Sequence, residues 1–236
     1  AFAGDSLYGD IRRRNAVDRE TIRDFLSQLP FFRALSPDDL TQLAARAWRR
    51  DVARDEIIAL EGDPCRAVYI VAQGRVKAVK TSLQGREQVV HVMSVGEPFY
   101  LAPALDGGTL PVTTQAVTRA RLVGLGREDL LTFLESHPAL AFQALVELAR
   151  RLRQMSALIE DLSLRTVAER LARLLCQQVS QAGPQRLTQR EMAARLGTVR
   201  EVVARTLAQF DRQGWIRLGR GAIEILDLEA LRQAAA

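Results

Sequence analysis

Arg200, Glu201 and Arg205 have the residue types and the spacing to read base pairs from one side of a helix. A guanidinium can grip guanine O6 and N7 together, and a carboxylate can accept from cytosine N4. On a helical wheel of about 100° per residue, Arg200, Glu201, Ala204 and Arg205 share one side. Val199, Val202, Val203 and Leu207 gather on the other. The apolar side is expected to pack, leaving two guanidinium groups and a carboxylate outward with only the small Ala204 between them. Upstream, Met192, Ala193 and Leu196 recur at helical spacing, and Gly197 supplies a turn between the two segments. The pattern from Thr188 to Leu207 therefore predicts a helix–turn–helix whose second helix enters the DNA major groove.

An amphipathic helix with a charged outer face can also be merely solvated, so its neighbours decide. Ala193 and Gly197 are small where two helices must cross closely. The stretch Gly214–Leu226 alternates like a two-stranded ribbon with a glycine-rich turn at Gly219–Gly221, as a wing would. Charge is the third neighbour. The formal net charge is +5; residues 165–236 hold 12 arginines against 7 acids, whereas residues 1–164 hold 21 of each sign. The whole excess sits in the part expected to meet phosphate. Lys77 and Lys80 are the only lysines, a bias that genome composition explains as well as function does.

The elements that must position this helix follow from periodicity. Residues 1–28 form a polar N-terminal segment, helical from Arg19 to Leu29. From Leu29 to about Glu135 the period is that of strands: Ile57–Leu60, Ala67–Ala72, Arg75–Lys80, Arg86–Met93, Val112–Thr118 and Arg119–Leu125, with turns at Gly62–Pro64 and Gln73–Gly74. Short strands at regular spacing predict a β-roll or sandwich. From Pro138 the period is helical. Ala141, Leu145, Leu148, Leu152, Met155, Ile159 and Leu162 are spaced by alternating fours and threes, three heptads of an a/d seam. Such a stripe fits either packing on the β-domain or dimerisation; its length and regularity favour dimerisation, which would set two reading helices on the two halves of a palindrome.

That order resembles the family of the cyclic-AMP receptor protein and the fumarate–nitrate reduction regulator, the Crp/Fnr family, from Leu29 to Leu231. Leu29–Ser36 is similar to the family's opening helix, Gly62 and Gly74 to its turn glycines, and Leu158–Leu175 to the end of its dimer helix, its hinge and its first DNA-domain helix. Arg200, Glu201 and Arg205 match the Arg-Glu-x-x-x-Arg arrangement of the cyclic-AMP receptor branch. The resemblance implies an α+β protein with a cyclic-nucleotide-binding-type β-roll (29–137), a dimerisation helix (138–163) and a winged helix–turn–helix (164–236). It implies a homodimer on double-stranded DNA carrying TGTGA-like half-sites, with RNA polymerase as a further partner. Thr188, Arg190 and Thr198 match positions that hold phosphates or flank the base contacts. Val199 and Val202 replace polar residues there, which leaves the outer bases open.

The effector is where the chain departs from the family. The cyclic-nucleotide pocket uses a glutamate for the ribose and an arginine about ten residues later for the cyclic phosphate. Leu101 and Pro111 stand at those positions, so cyclic AMP is not expected as the effector. An iron–sulfur cluster of the oxygen-sensing branch is excluded by the lack of cysteine in residues 1–28. Two alternatives stay open. One is a haem-dependent nitric oxide- or redox-sensing regulator, with an apolar pocket between roll and dimer helix and His91 as the candidate axial ligand. The other is a ligand-independent regulator controlled by abundance. His137 is expected at the start of the dimer helix, Cys65 in a turn where exposure would permit redox chemistry, and Cys176 in a buried helix face. Asp38–Asp39 and Glu160–Asp161 read as helix-terminus or solvated charges. With 2 histidines, no Gly-x-Ser-x-Gly, no phosphate loop and no His-Glu-x-x-His, neither an enzyme nor a metal site is expected. No apolar run approaches the roughly 18 residues of a membrane span. No signal peptide is visible, and a cytoplasmic location is expected.

Overall fold

A computed structural model describes residues 16–180, 187–219 and 222–235. The chain divides into two compact units. The first comprises residues up to Val79 together with His91–Arg153, and the second Lys80–Val90 together with Gln154 onwards.

The first unit begins with helix α1 (Ala16–Ser27), a 3-10 turn (Pro30–Phe32) and α2 (Pro37–Arg46). Helix α2 starts where the sequence caps it: Ser36 and Asp39 form a reciprocal capping box, Pro37 stands at the first helical position, and Asp38 and Asp39 fall in the first turn. The roll follows as β1 (Trp48–Val52), β2 (Ile57–Ala59), β3 (Ala67–Gln73), β4 (Val76–Thr81), β5 (Glu87–Met93), β6 (Pro98–Phe99), α3 (Leu101–Asp106), β7 (Thr113–Ala116), β8 (Ala120–Gly126) and α4 (Arg127–Ser136). Two four-stranded sheets result, in the orders β1-β8-β3-β6 and β2-β7-β4-β5. Ala67 to Val71 are all buried, as a strand covered on both faces requires, and β3 pairs β8 antiparallel from Ala67↔Gly126 onwards. The strands read from the sequence are present. The strand period from Leu29 to Glu135 is nevertheless interrupted by α2, α3 and α4, which the alternation did not reveal.

Helix α5 (Pro138–Leu164) leaves the roll at His137. That residue ends α4, with its N–H on Phe133 O, and its own carbonyl accepts from Leu140 and Ala141 at the start of α5. Its Nε2 lies 3.2 Å from Asp39 Oδ1 and its ring stacks on Phe133. Leu140 and Ala144 anchor α5 by burial, whereas Phe142, Leu145, Leu152 and Ile159 stay exposed.

A polar network lies between β5 and α5. Glu97 Oε2 accepts from Ser94 N–H at 3.1 Å and lies 3.0 Å from His91 Nε2, while Glu97 Oε1 accepts from Arg150 at 3.1 Å. Arg150 also meets Glu147 at 2.7 Å. Burial pushes the Glu97 carboxyl up, but the hydrogen bonds from His91 and Ser94 and the charges of His91 and Arg150 overcome it and hold the group down at about 2. A carboxyl depressed on folding stabilises above its unfolded value near 4.5 and loses that contribution as pH falls towards 2. Glu97→Gln is therefore expected to lower stability by about 1–3 kcal/mol at neutral pH. The gap between variant and parent should close across that acid window, as read from urea midpoints.

The second unit carries α6 (Val167–Ser180), α7 (Gln189–Leu196), α8 (Arg200–Arg212), β9 (Ile216–Gly219), β10 (Ala222–Ile225) and α9 (Leu228–Ala234). One core joins them: Leu171 and Leu175 from α6, Met192 and Leu196 from α7, Val203, Leu207 and Phe210 from α8, then Ile216 and Leu231. Strands β9 and β10 pair antiparallel from Ile216↔Ile225 to Gly219↔Ala222, the expected wing; residues 220 and 221 of its turn lie outside the described residues. Gly197 ends α7 at φ +67°, and a Cβ there would fall on Gln88 Oε1 and within 2.8 Å of Leu162 Cδ2. Gly197→Ala combines left-handed strain of about 1–2 kcal/mol with these contacts. Its thermal midpoint is expected several degrees below the parent; an unchanged midpoint would contradict the tight turn.

Candidate nucleic-acid interface

The turn at Gly197 fixes how α8 is presented. Thr188 and Glu191 form a capping box at the start of α7, with Glu191 N–H donating to Thr188 Oγ1 at 3.2 Å. Ala193 is buried at the crossing, and its carbonyl accepts from Thr198 N–H at 3.0 Å. Helix α8 then rests on Val203, Thr206, Leu207 and Phe210, all buried. Arg200, Glu201 and Arg205 are exposed on the far side, and Ala204 is half-buried between them.

Several arginines of the second unit are paired within the fold. Arg165 and Arg173 meet Asp161, Arg217 meets Glu224 and Arg232 meets Glu229. Among the described residues, Arg200, Glu201, Arg205 and Arg190 enter no ion pair. Arg200 also lies in the first turn of α8, where the helix dipole disfavours a cation by a few tenths of a kcal/mol or about 1 kcal/mol at most.

The six residues expected at the DNA are brought to the two adjoining helices and their turn. Arg200, Glu201 and Arg205 share the outer face of α8, Arg190 is exposed on α7, Thr198 is half-buried in the turn, and the Thr188 hydroxyl is engaged as the α7 cap. One assignment changes. Val199 was placed with the packing face by the wheel, but it is the N-cap of α8, has no side-chain cap bond and is 44% exposed. Thr206 and Phe210 complete the buried face in its stead.

The roll places the residues of the effector reading as follows. Leu101 is buried in the first turn of α3, against a cavity of about 20 Å³ lined by Leu26, Phe32, Leu43, Ile70 and Leu130. That cavity lies beneath the N-terminal helices and has room for about one water. His91 is held by Glu97 in the polar network described above. Tyr100 precedes α3 with φ +69°, a left-handed conformation rare for a side-chain-bearing residue, and its buried hydroxyl bonds the fully buried Thr114. Burial pushes the Tyr100 phenol well above its ordinary value. Sequence reasoning missed Tyr100 because its neighbours gave no glycine signal for that turn. Cys65 is buried, not an exposed turn thiol, and burial raises its thiol above the ordinary value. Cys176 is half-buried against the C-terminal core.

Comparison with known proteins agrees with this architecture. Residues 49–137 match the cyclic nucleotide-binding domain and residues 169–234 the Crp-like helix-turn-helix domain. The chain is 30% identical to a CRP-like cAMP-activated global transcriptional regulator of Mycobacterium tuberculosis, over 90% of this chain and 99% of that one. It is 32% identical to the cyclic AMP receptor protein of Thermus thermophilus, over 87% and 96%. The solved structure of a Crp/Fnr-family transcriptional regulator from Eubacterium rectale superposes with a TM-score of 0.78 at 23% identity, covering 88% of this chain and 98% of that chain, a likeness of fold. The class is thus an N-terminal cyclic-nucleotide-binding-type domain, a long helix and a C-terminal helix–turn–helix. The chain belongs to the Crp/Fnr family of DNA-binding transcription regulators. Among the described residues, no helix is long and apolar enough to cross a membrane.

Proposed function

We propose that this protein is a homodimeric, cytoplasmic transcription regulator that binds a TGTGA-like palindrome, works with RNA polymerase and is not controlled by cyclic AMP. The observation that carries the reading is the exposed set Arg200, Glu201 and Arg205, which enters no ion pair among the described residues, on a helix whose opposite face is buried. Two arginines suit the guanines of TGTGA, and the glutamate suits a cytosine opposite.

The dimer reading rests on α5. Leu152 and Ile159 are 68% and 64% exposed at a/d positions of the heptad pattern, an arrangement that pairing with a second copy would cover. Sedimentation velocity at micromolar concentration is expected to give a dimer.

Independence from cyclic AMP rests on the chemistry of the cassette. A cyclic phosphate needs a cation and a ribose hydroxyl needs an acceptor. At the corresponding positions, Leu101 is buried among apolar side chains and Pro111 offers neither group. The residues present do not fit the nucleotide. Calorimetric titration with millimolar cyclic AMP is expected to show no saturable heat, and saturable binding would overturn this part. The alternative is a regulator without a small-molecule effector that is governed by abundance. A haem-dependent reading would require His91 to exchange Glu97 for iron.

A further inference from the structure

The start of the reading helix is built against its own stability. Helix α7 is capped by Thr188 with Glu191, α9 by Asp227, and Thr166 with Glu169 plays the same part before α6. Helix α8 alone among these begins on an aliphatic residue. Val199 accepts the first helical bonds through its carbonyl, from Val202 N–H at 3.1 Å and Val203 N–H at 3.3 Å, but its side chain caps nothing. Valine is among the poorest N-caps, and serine, threonine, asparagine or aspartate would satisfy a free N–H there. Nor does burial explain the choice, because the side chain is 44% exposed and sits immediately before Arg200.

We propose that Val199 is a specificity-determining residue, a contact for the C5-methyl group of a thymine beside the guanine read by Arg200; the inference rests on the DNA-reading role proposed above. The N-terminal residues of a reading helix approach base edges most closely. The major groove offers one apolar group that an aliphatic side chain can recognise, the thymine methyl. In TGTGA each guanine follows a thymine, so an aliphatic group next to a guanine-binding arginine meets that methyl. A hydroxyl at this position would cap the helix or reach a phosphate, which fixes position but carries no sequence information.

The test exchanges thymine for deoxyuridine, which removes the methyl and keeps every hydrogen bond. Anisotropy titrations at fixed salt compare a TGTGA-type palindrome with duplexes carrying deoxyuridine at each half-site thymine in turn. The parent protein is expected to lose about 3- to 10-fold in affinity at one of these thymines. Val199→Ser, which places a favoured cap residue at an exposed position, is expected to bind the two duplexes equally. Val199→Thr, which keeps one methyl, should fall between. Equal binding of both duplexes by the parent, or undiminished discrimination by Val199→Ser, would overturn the assignment while leaving palindrome recognition intact. Failure of the parent to prefer the palindrome over a scrambled duplex would overturn the DNA-reading proposal and this one with it.

Discussion

Arg200→Ala is expected to weaken binding to a TGTGA-type palindrome by about 1–3 kcal/mol and to relax preference at the guanine it reads. The same change should leave binding to a scrambled duplex nearly unaltered, because one phosphate-range charge among many contributes little sequence information. Arg205→Ala should act in the same way at the second guanine. Both side chains are exposed and enter no ion pair among the described residues, so neither loss carries a folding penalty that would confuse the result. Equal losses on specific and scrambled DNA would show that these arginines hold phosphates only.

The second large effect concerns the proposed dimer seam on α5. Leu152 and Ile159 lie one heptad apart on α5 and are exposed. Leu152→Glu with Ile159→Glu puts two like charges on the seam, where a dimer would have to bury them beside their counterparts. Sedimentation should then report a monomer. Two linked reading heads gain effective concentration over one, so affinity for the full palindrome should fall by about 10²- to 10⁴-fold while a single half-site is bound as before. A variant that stays dimeric would place the dimer contact elsewhere.

The two halves of the chain differ in how much their sequence discloses. The helix–turn–helix announces itself because caps, periodicity and turn glycine agree: Thr188 and Glu191 open α7, Gly197 closes it at positive φ, and Val203 and Leu207 recur on one face of α8. In the roll, β3 is legible as an unbroken apolar run. Strand β1 is not, because Trp48–Val52 carries three charged residues and buries only Val52 while it pairs with β8 along the sheet. Helices α3 and α4 were hidden for another reason. Each is short, and α3 starts from a left-handed tyrosine, a conformation that local propensity does not announce, whose hydroxyl bonds the buried Thr114.

At the candidate site, a helical wheel assigns Val199 correctly by angle and wrongly by environment. The wheel does not know where the helix starts, and a residue at the tip has no preceding turn to cover it. The absent cap residue before Arg200 was the signal available. The proposed loss of the nucleotide contacts at Leu101 and Pro111 is a reading of the sequence by family resemblance. Tyr100 was not legible, because its role depends on a contact 14 residues away.

The central claim is sequence-specific DNA recognition without cyclic AMP. Fluorescence anisotropy at fixed salt, with the unliganded full chain on a TGTGA-type palindrome and on a scrambled duplex of the same length, tests it most directly. The account predicts tighter binding to the palindrome by at least about 10³-fold, unchanged when cyclic AMP is added. Equal binding to the two duplexes, or preference that emerges only with cyclic AMP, would contradict it.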